Sequence, residues 1–348
     1  MVFDQKKSIL IITPFHKQAR GNTITSERIY TGLKQRGWPV DLLSLESDNW
    51  QQILAIKLKQ KSFSLVHGLN ITYFTRVLTL FPNLTELPLL VTMTGTDINH
   101  DLKTDSYPGV ARTLKMVRHI VIFNDCFHEV FQQCYPEALP KLITIPQGVA
   151  LKPGVVRSRK ELGLAEDDFV FLLPSGLRPV KNIGLALDAF KALVPYFHHM
   201  RLLILGAILD QQYGKFIIEQ IKKLPWVVYP GEFPHSHMYS LLQLGDVVLN
   251  TSHHEGQPQA ALEAMSLGKP CLLTPVPGNI NIITHGREGY YVKNSADLAA
   301  AAHELMLNQQ LREDMGANAR RLVQEKFSLE TELDAYEELY KKILAKKK

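Results

Sequence analysis

The chain has 348 residues, 45% of them apolar and 21% charged, with a formal net charge of +5. That length exceeds the roughly 250–300 residues at which a single core stops growing, so two domains are expected. The composition is that of a water-soluble globular protein, and no apolar run approaches the roughly 20 residues that cross a bilayer, which excludes a disordered chain and a transmembrane one.

The opening residues Met1 to Lys7 run directly into an apolar segment, with no long apolar stretch and no small-residue cleavage site. A secretory leader is therefore not expected, and the expected location is cytoplasmic. Residues 8–13 read as a first buried strand. A helix over Thr23–Gly37 follows, with Ile24, Ile29 and Leu33 near one face and a glycine to stop it. Further buried strands are expected at Leu65–His67, Leu89–Met93, Ile120–Phe123 and Leu142–Ile145, with helical sequence between them. Such alternation implies βαβ units and a parallel sheet.

The pattern breaks over Gln147–Arg157, a Pro- and Gly-containing stretch without periodicity, and an interdomain linker is placed near residues 148–157. It resumes with strands at Phe169–Leu173, Leu202–Leu205, Trp226–Tyr229, Asp246–Asn250 and Pro270–Thr274. Leu329–Lys348 carries Leu333, Tyr336, Leu339, Tyr340 and Ile343 at helical spacing and reads as an amphipathic helix. The expected organisation is thus α/β, with two Rossmann-like doubly wound domains at residues 1–150 and 151–328. A terminal helix over 329–348 can cross back to the first domain. Such sheets bind ligands at the carboxyl ends of their strands, so an active site is expected in the cleft between the domains.

Three cysteines, Cys126, Cys134 and Cys271, show no metal-type spacing and fit a reducing compartment as small packing residues. No basic groove-reading element with interleaved aromatics is present, so a nucleic-acid partner is not expected. Lys341, Lys342, Lys346, Lys347 and Lys348 crowd the end of the chain. The plainer reading is a solvated helix end, the alternative a peripheral contact with an acidic membrane surface.

The most informative stretch is Glu255-Gly256-Gln257-Pro258-Gln259-Ala260-Ala261-Leu262-Glu263, directly after the strand at 246–250. Gly256 permits close backbone approach, Pro258 suits a first helical position, and the amides of residues 257–260 are expected to form an anion-binding nest suited to a diphosphate. Glu255 and Glu263, with seven residues between them, can accept hydrogen bonds from the vicinal hydroxyls of a ribose and a hexose. A solvated helical position is the plainer reading of Glu263, but its apolar neighbours Ala260, Ala261, Leu262, Ala264 and Met265 favour burial with a partner. A second segment, Ser175-Gly176-Leu177-Arg178-Pro179-Val180-Lys181-Asn182, sets two cations at a strand end, where Arg178 can fork onto phosphate and Lys181 can supply a point charge. A capped helix with surface cations is the plainer reading of that segment taken alone.

The E-x7-E element, the Gly-Leu-Arg-x-x-Lys element and the following Pro277-Gly278-Asn279 together resemble glycosyltransferase family 4, of GT-B fold, over most of residues 8–325. Arg178 stands three residues before Lys181, whereas many members place it five before. The resemblance implies a nucleotide-sugar donor, with Glu263 on the ribose, Glu255 near the donor sugar, and Arg178 and Lys181 around the diphosphate. It also implies that Gly231-Glu232-Phe233 meets the nucleobase. In the first domain, Thr94-Gly95-Thr96-Asp97 and the pattern Gly21, Asn22, Thr25 are similar to a small subgroup. That subgroup contains selenosugar synthases and a eukaryotic glycosyltransferase 1 domain-containing protein.

Asp97 can then orient a substrate hydroxyl or simply cap the next helix, and Gly21, Asn22 and His16 sit in the loop expected to meet the acceptor. His235, His237, His253 and His254 cluster in sequence, yet they lie on two separate loops without ligand spacing, and no Asp-x-Asp element is present. Neither a metal nor another cofactor is expected, and His254 is a candidate for a substrate hydrogen bond. His67, His100 and His119 are read as structural.

The reading that results is a retaining, metal-independent glycosyltransferase acting from a nucleotide-sugar, UDP-linked by expectation, onto an acceptor the sequence does not name. Its rivals are transfer to selenophosphate, a nucleotide-sugar epimerase, and a non-catalytic nucleotide-binding scaffold.

Overall fold

The computed structural model describes residues 8–16, 21–104 and 109–345. The leading residues Met1 to Lys7 and the terminal Lys346, Lys347 and Lys348 discussed above lie outside them. The chain divides into two compact units, one formed by Met1–Gly148 with Leu329–Lys348 and the other by Val149–Ser328.

In the first unit the strands are β1 (Ile9–Thr13), β2 (Val40–Ser44), β3 (Leu65–Leu69), β4 (Leu89–Thr92), β5 (His119–Ile122) and β6 (Leu142–Thr144). They form one parallel sheet in the order β2-β1-β3-β4-β5-β6. The intervening helices are α1 (Gly21–Gln35), α2 (Trp50–Gln60), α3 (Ile71–Leu80), α4 (Thr96–Asn99), α5 (Val110–Met116) and α6 (His128–Cys134). Chain order runs outward from β1 to β2, then reverses and runs from β3 to β6, so a topological switch lies between β1 and β3. β1 and β3 are buried along their whole lengths, as expected of strands covered on both faces.

The second unit repeats the plan with β7 (Phe169–Pro174), β8 (Met200–Leu205), β9 (Val227–Val228), β10 (Val247–Asn250), β11 (Cys271–Leu273) and β12 (Gly289–Tyr291). Its sheet is also parallel, in the order β12-β11-β10-β7-β8-β9, with the switch between β7 and β10. α7 (Ile183–Lys191), α8 (Gln211–Ile221), α9 (Met238–Gln243), α10 (Gln259–Ser266), α11 (Ser295–Leu307) and α12 (Gln309–Lys326) flank it. Two cores form in this unit, around Phe171, Phe190 and Leu202 in one and around Leu172, Leu262 and Met265 in the other.

The doubly wound α/β architecture read from the sequence is present in both units. Two strands were not anticipated, β2 and β12. Both are edge strands in which only part of the side chains is buried, so neither writes a continuous apolar run. The first helix begins at Gly21 rather than Thr23, and it stops where expected: Gly37 has φ 76°, and the amides of Gly37 and Trp38 return to the carbonyls of Lys34 and Leu33.

The terminal helix α13 (Leu329–Ala345) packs on the first unit, and all five of its anticipated apolar residues are buried. A polar seam runs beneath it. Arg28 on α1 donates from Nε and from a terminal nitrogen to Glu332 at 2.6 and 2.9 Å, and the same terminal nitrogen meets Gln147 Oε1 at 3.1 Å. Further along, His67 Nδ1 lies 2.7 Å from the Tyr340 hydroxyl and His67 Nε2 lies 2.8 Å from Thr92, which in turn meets Tyr336 at 3.1 Å. The apolar face of α13 is therefore occupied within its own unit, which leaves only lysines such as Lys341 and Lys342 for any membrane surface. Among the described residues no helix is long and apolar enough to cross a membrane.

Burial lowers the pKa of His67 to about 3, against the ordinary 6.5 of the unfolded chain. Its contribution to stability is complete above pH 6.5 and is lost as pH falls from there towards 3, at up to about 1.4 kcal/mol per pH unit. In denaturant titrations at pH 7.5, 6 and 4.5, the first unit should lose stability faster in wild type than in His67→Gln, which cannot take up that proton.

Candidate functional site

Because β11, β10 and β7 are neighbours in a parallel sheet, the loops that leave their carboxyl ends lie side by side at the switch point. The loop after β7 carries Arg178 and Lys181, and a single 3-10 turn over Pro179–Lys181 leads through Asn182, held at φ 46°, into α7. The loop after β10 carries Glu255, and the loop after β11 carries Pro277, Gly278 and Asn279. Backbone and side-chain bonds sew the three together. His253 N–H donates to Val180 O at 2.8 Å, Thr251 Oγ1 to Lys181 O at 2.8 Å, and Glu255 N–H to Pro277 O at 2.9 Å.

Lys181 Nζ lies 2.5 Å from Glu255 Oε1, and both side chains are largely buried. Ser252 Oγ and Asn250 Nδ2 donate to the same oxygen at 2.6 and 3.0 Å. Asn250 is held in turn by Asn279, whose amide reaches it at 3.1 Å. Burial pushes the Glu255 pKa up, but the Lys181 charge and the three donors outweigh it and hold it below the ordinary value, so the carboxylate is ionised at neutral pH. The capped-helix reading of the Arg178 segment thus omits its main feature, a buried charge pair with the neighbouring loop. Arg178 is half-buried, and its Nε is buried without a hydrogen-bond partner among the described residues. An unpaired buried donor is costly to leave and marks a place for an acceptor oxygen.

The anion nest differs from expectation. Pro258 has no N–H, and it stands before α10 as its cap residue rather than at the first helical position, with φ −79° and ψ 69°. The Gln259 amide is turned back onto Gln257 O at 2.9 Å. The amides without a hydrogen-bond partner among the described residues are instead those of Gly256 and Ala260, at either end of the stretch. Gln257 is buried, and His254 beside Glu255 is half-buried.

Glu263 is buried on α10, as its apolar neighbours suggested, and its Oε1 meets His235 Nε2 at 2.9 Å. His235 stands in the turn that follows the Gly231–Phe233 loop. Phe233 itself is half-buried, with the Arg157 guanidinium 5.6 Å from its ring centre and the His237 ring at 5.9 Å.

In the first unit, Asp97 departs from its expected substrate role. It is fully buried, and its two oxygens accept the backbone amides of Thr94, Gly95, Ile98 and Ile71 at 2.9 to 3.1 Å. The four amides fit the capping alternative, in which one carboxylate clamps the starts of α3 and α4. Burial raises its pKa, with the four amides opposing. His16 is exposed and pairs with Glu27 at 2.7 Å, while its amide donates to Glu46 at 2.9 Å. Gly21 opens α1 and a side chain there would meet nothing, Asn22 is half-buried, and Thr25 bonds Gly21 O and Gln147 rather than pointing outward.

Sequence reasoning missed Asn250, Ser252, Asn279 and His235 as supports of the two glutamates. Asn279 lay inside a flagged motif. His235 carried a signal as one of the clustered histidines, but its partner, 28 residues further on, is a carboxylate.

Gly278 has φ +86°, and a Cβ there would stand 2.3 Å from Glu255 O and 2.9 Å from Glu255 Cβ. Gly278→Ala should destabilise the second unit by about 1–3 kcal/mol, read as a lower denaturation midpoint with unchanged slope.

Residues 156–322 match the sequence model of the family "Glycosyl transferases group 1". The chain is 27% identical over 330 residues to the Xenopus tropicalis glycosyltransferase 1 domain-containing protein 1, covering 92% of this chain and 93% of that one. It is 30% identical over 205 residues to the Bacillus anthracis N-acetyl-alpha-D-glucosaminyl L-malate synthase, covering 58% of this chain and 52% of that one. Among solved structures, Anabaena HepE in complex with UDP and glucose superposes with a TM-score of 0.78 at 19% identity, over 97% of this chain and 100% of that one. Sucrose-phosphate synthase from Thermosynechococcus elongatus gives 0.79 at 17% identity, over 98% and 100%. At such identities the superpositions speak for the fold, and the family match speaks for the second unit. The chain has the GT-B fold, and the stretch similar to the group 1 glycosyltransferases lies within its C-terminal unit.

Proposed function

We propose that the protein is a retaining glycosyltransferase that takes a sugar from a UDP-linked donor held on the second unit. The observation that carries this reading is the cluster at the β7–β10 switch point. There a buried Lys181–Glu255 pair, an unpartnered Arg178 Nε and the unpartnered amides of Gly256 and Ala260 gather on adjacent loops. Such a group offers charge and donors to a diphosphate without demanding a metal ion.

In this reading Glu263 accepts the ribose hydroxyls and Phe233 borders the base. Glu255, already ionised, accepts a hydroxyl of the donor sugar. The bond from the anomeric carbon to the diphosphate oxygen breaks as the acceptor oxygen bonds the same face, and the acceptor proton passes to the departing phosphate. Arg178, Lys181 and the two amides stabilise the charge that grows on that leaving group. No enzyme nucleophile is required, and retention follows from attack on the face of departure. The donor-complexed neighbours support UDP, and the activity for which the Bacillus anthracis relative is named supports a sugar transferase. Three free cysteines support a reducing, cytoplasmic setting.

Calorimetry with UDP, GDP and ADP, each with and without magnesium, tests the donor site. UDP should bind selectively and independently of magnesium, and Glu263→Ala should weaken it by about tenfold or more. Absence of binding by any nucleotide would overturn the donor-site reading, whereas tight binding with no transfer to any acceptor would favour the scaffold. Lys181→Ala should lower turnover by at least about tenfold, because the charge it supplies is used most in the transition state. Unchanged turnover would remove Lys181 from the mechanism.

A further inference from the structure

We infer that His235 is a positioning residue that sets the orientation of the Glu263 carboxylate, and that selection of a ribonucleotide over its 2′-deoxy counterpart depends on it. The inference rests on the donor-site reading above. Three observations lead to it.

The first is the carboxylate itself. The Glu263 side chain is 5% exposed, among Ala261, Leu262, Ala264 and Met265, which are buried at 0–2%. Oε1 takes His235 Nε2 at 2.9 Å, while Oε2 has no hydrogen-bond partner among the described residues. A buried carboxylate with one oxygen held and the other unpaired lacks a donor that a ligand can bring. A ribose 2′,3′-diol carries two such donors, and it meets both only if the carboxylate plane is fixed in advance.

The second is the rigidity of the histidine. His235 opens a 3-10 turn over His235–His237 that leads into α9. Linker residues brace that turn from outside: Val155 N–H donates to Ser236 O at 3.2 Å, and Arg157 Nε donates to His237 Nδ1 at 3.2 Å. Gly154 approaches so closely that a Cβ there would lie 2.1 Å from Ser236 O.

The third is continuity along the chain. Phe233, at the proposed base-binding loop, is two residues before His235, and the loop is tied to the end of β8 by Gly206 N–H donating to Gly231 O at 3.0 Å. His235 therefore staples the base-side loop to the helix that carries the ribose-side carboxylate. Base and sugar of the nucleoside are read by one connected element rather than by two independent ones.

The test compares the affinities of UDP and 2′-deoxy-UDP for wild type, His235→Ala and His235→Asn by calorimetry. Wild type should prefer the ribonucleotide by about tenfold, the effect of one hydrogen bond to a charged group. His235→Ala should cut that preference to about twofold or less, and His235→Asn, whose amide can still donate to Glu263, should recover part of it. The ratio is internal to each sample, so a partly folded variant still reports it. An undiminished preference in His235→Ala, or none in wild type, overturns the inference while leaving the donor site intact. Failure of wild type to bind either nucleotide overturns the donor-site reading itself.

Discussion

The ion pair between Lys181 and Glu255 is the contact on which the second unit's site depends. Each partner sits on a different loop, each loop leaves a different strand, and those strands flank the point where the strand order reverses. Desolvating two charges is costly, and a buried pair holds only if further donors satisfy it. Here Ser252 and Asn250 do so, and Asn279 holds Asn250 from the third loop. The pair also keeps a cation and a carboxylate facing each other before any ligand arrives. An incoming diphosphate therefore meets a lysine already in place rather than one recruited from solvent.

The first unit is held by a different device, a polar seam inside an apolar interface. Leu333, Leu339 and Ile343 would dock α13 in several neighbouring rotations at similar cost. Arg28–Glu332 and His67–Tyr340 admit one. Losing either charged partner would leave the other buried and uncompensated, which costs about 3–5 kcal/mol. The seam thus adds register to an interface whose attraction is mainly hydrophobic.

Much of this was legible beforehand, for identifiable reasons. Central parallel strands such as β1 and β7 write uninterrupted apolar runs, and α13 writes its buried face at helical spacing. Glu255 of the E-x7-E segment and the two cations of the Gly-Leu-Arg-x-x-Lys segment follow strands directly, as residues of the loops at the carboxyl ends of an α/β sheet do. What escaped was either weakly patterned or long-range. β2 and β12 lie at sheet edges and are only partly buried. The proline inside the amide stretch cancels one donor and redirects another, a consequence of backbone geometry rather than composition. Asp97 illustrates the limit most clearly, since a carboxylate after a strand has the same sequence whether it faces a substrate or four amides. Three of those amides are local, but the fourth comes from Ile71, 26 residues earlier, which no local pattern shows.

The discontinuity of the first unit bears on how the protein is made. Arg28 and His67 emerge from the ribosome early, whereas Glu332, Tyr336 and Tyr340 follow the whole of Val149–Ser328. The inserted unit has a complete sheet of its own and can fold as it is synthesised. Until the last helix arrives the first unit holds Arg28 and His67 with only Gln147 and Thr92 of their seam partners, lacking Glu332 and Tyr340, so premature termination before Leu329 would strand it incomplete even though every strand of its sheet had been translated.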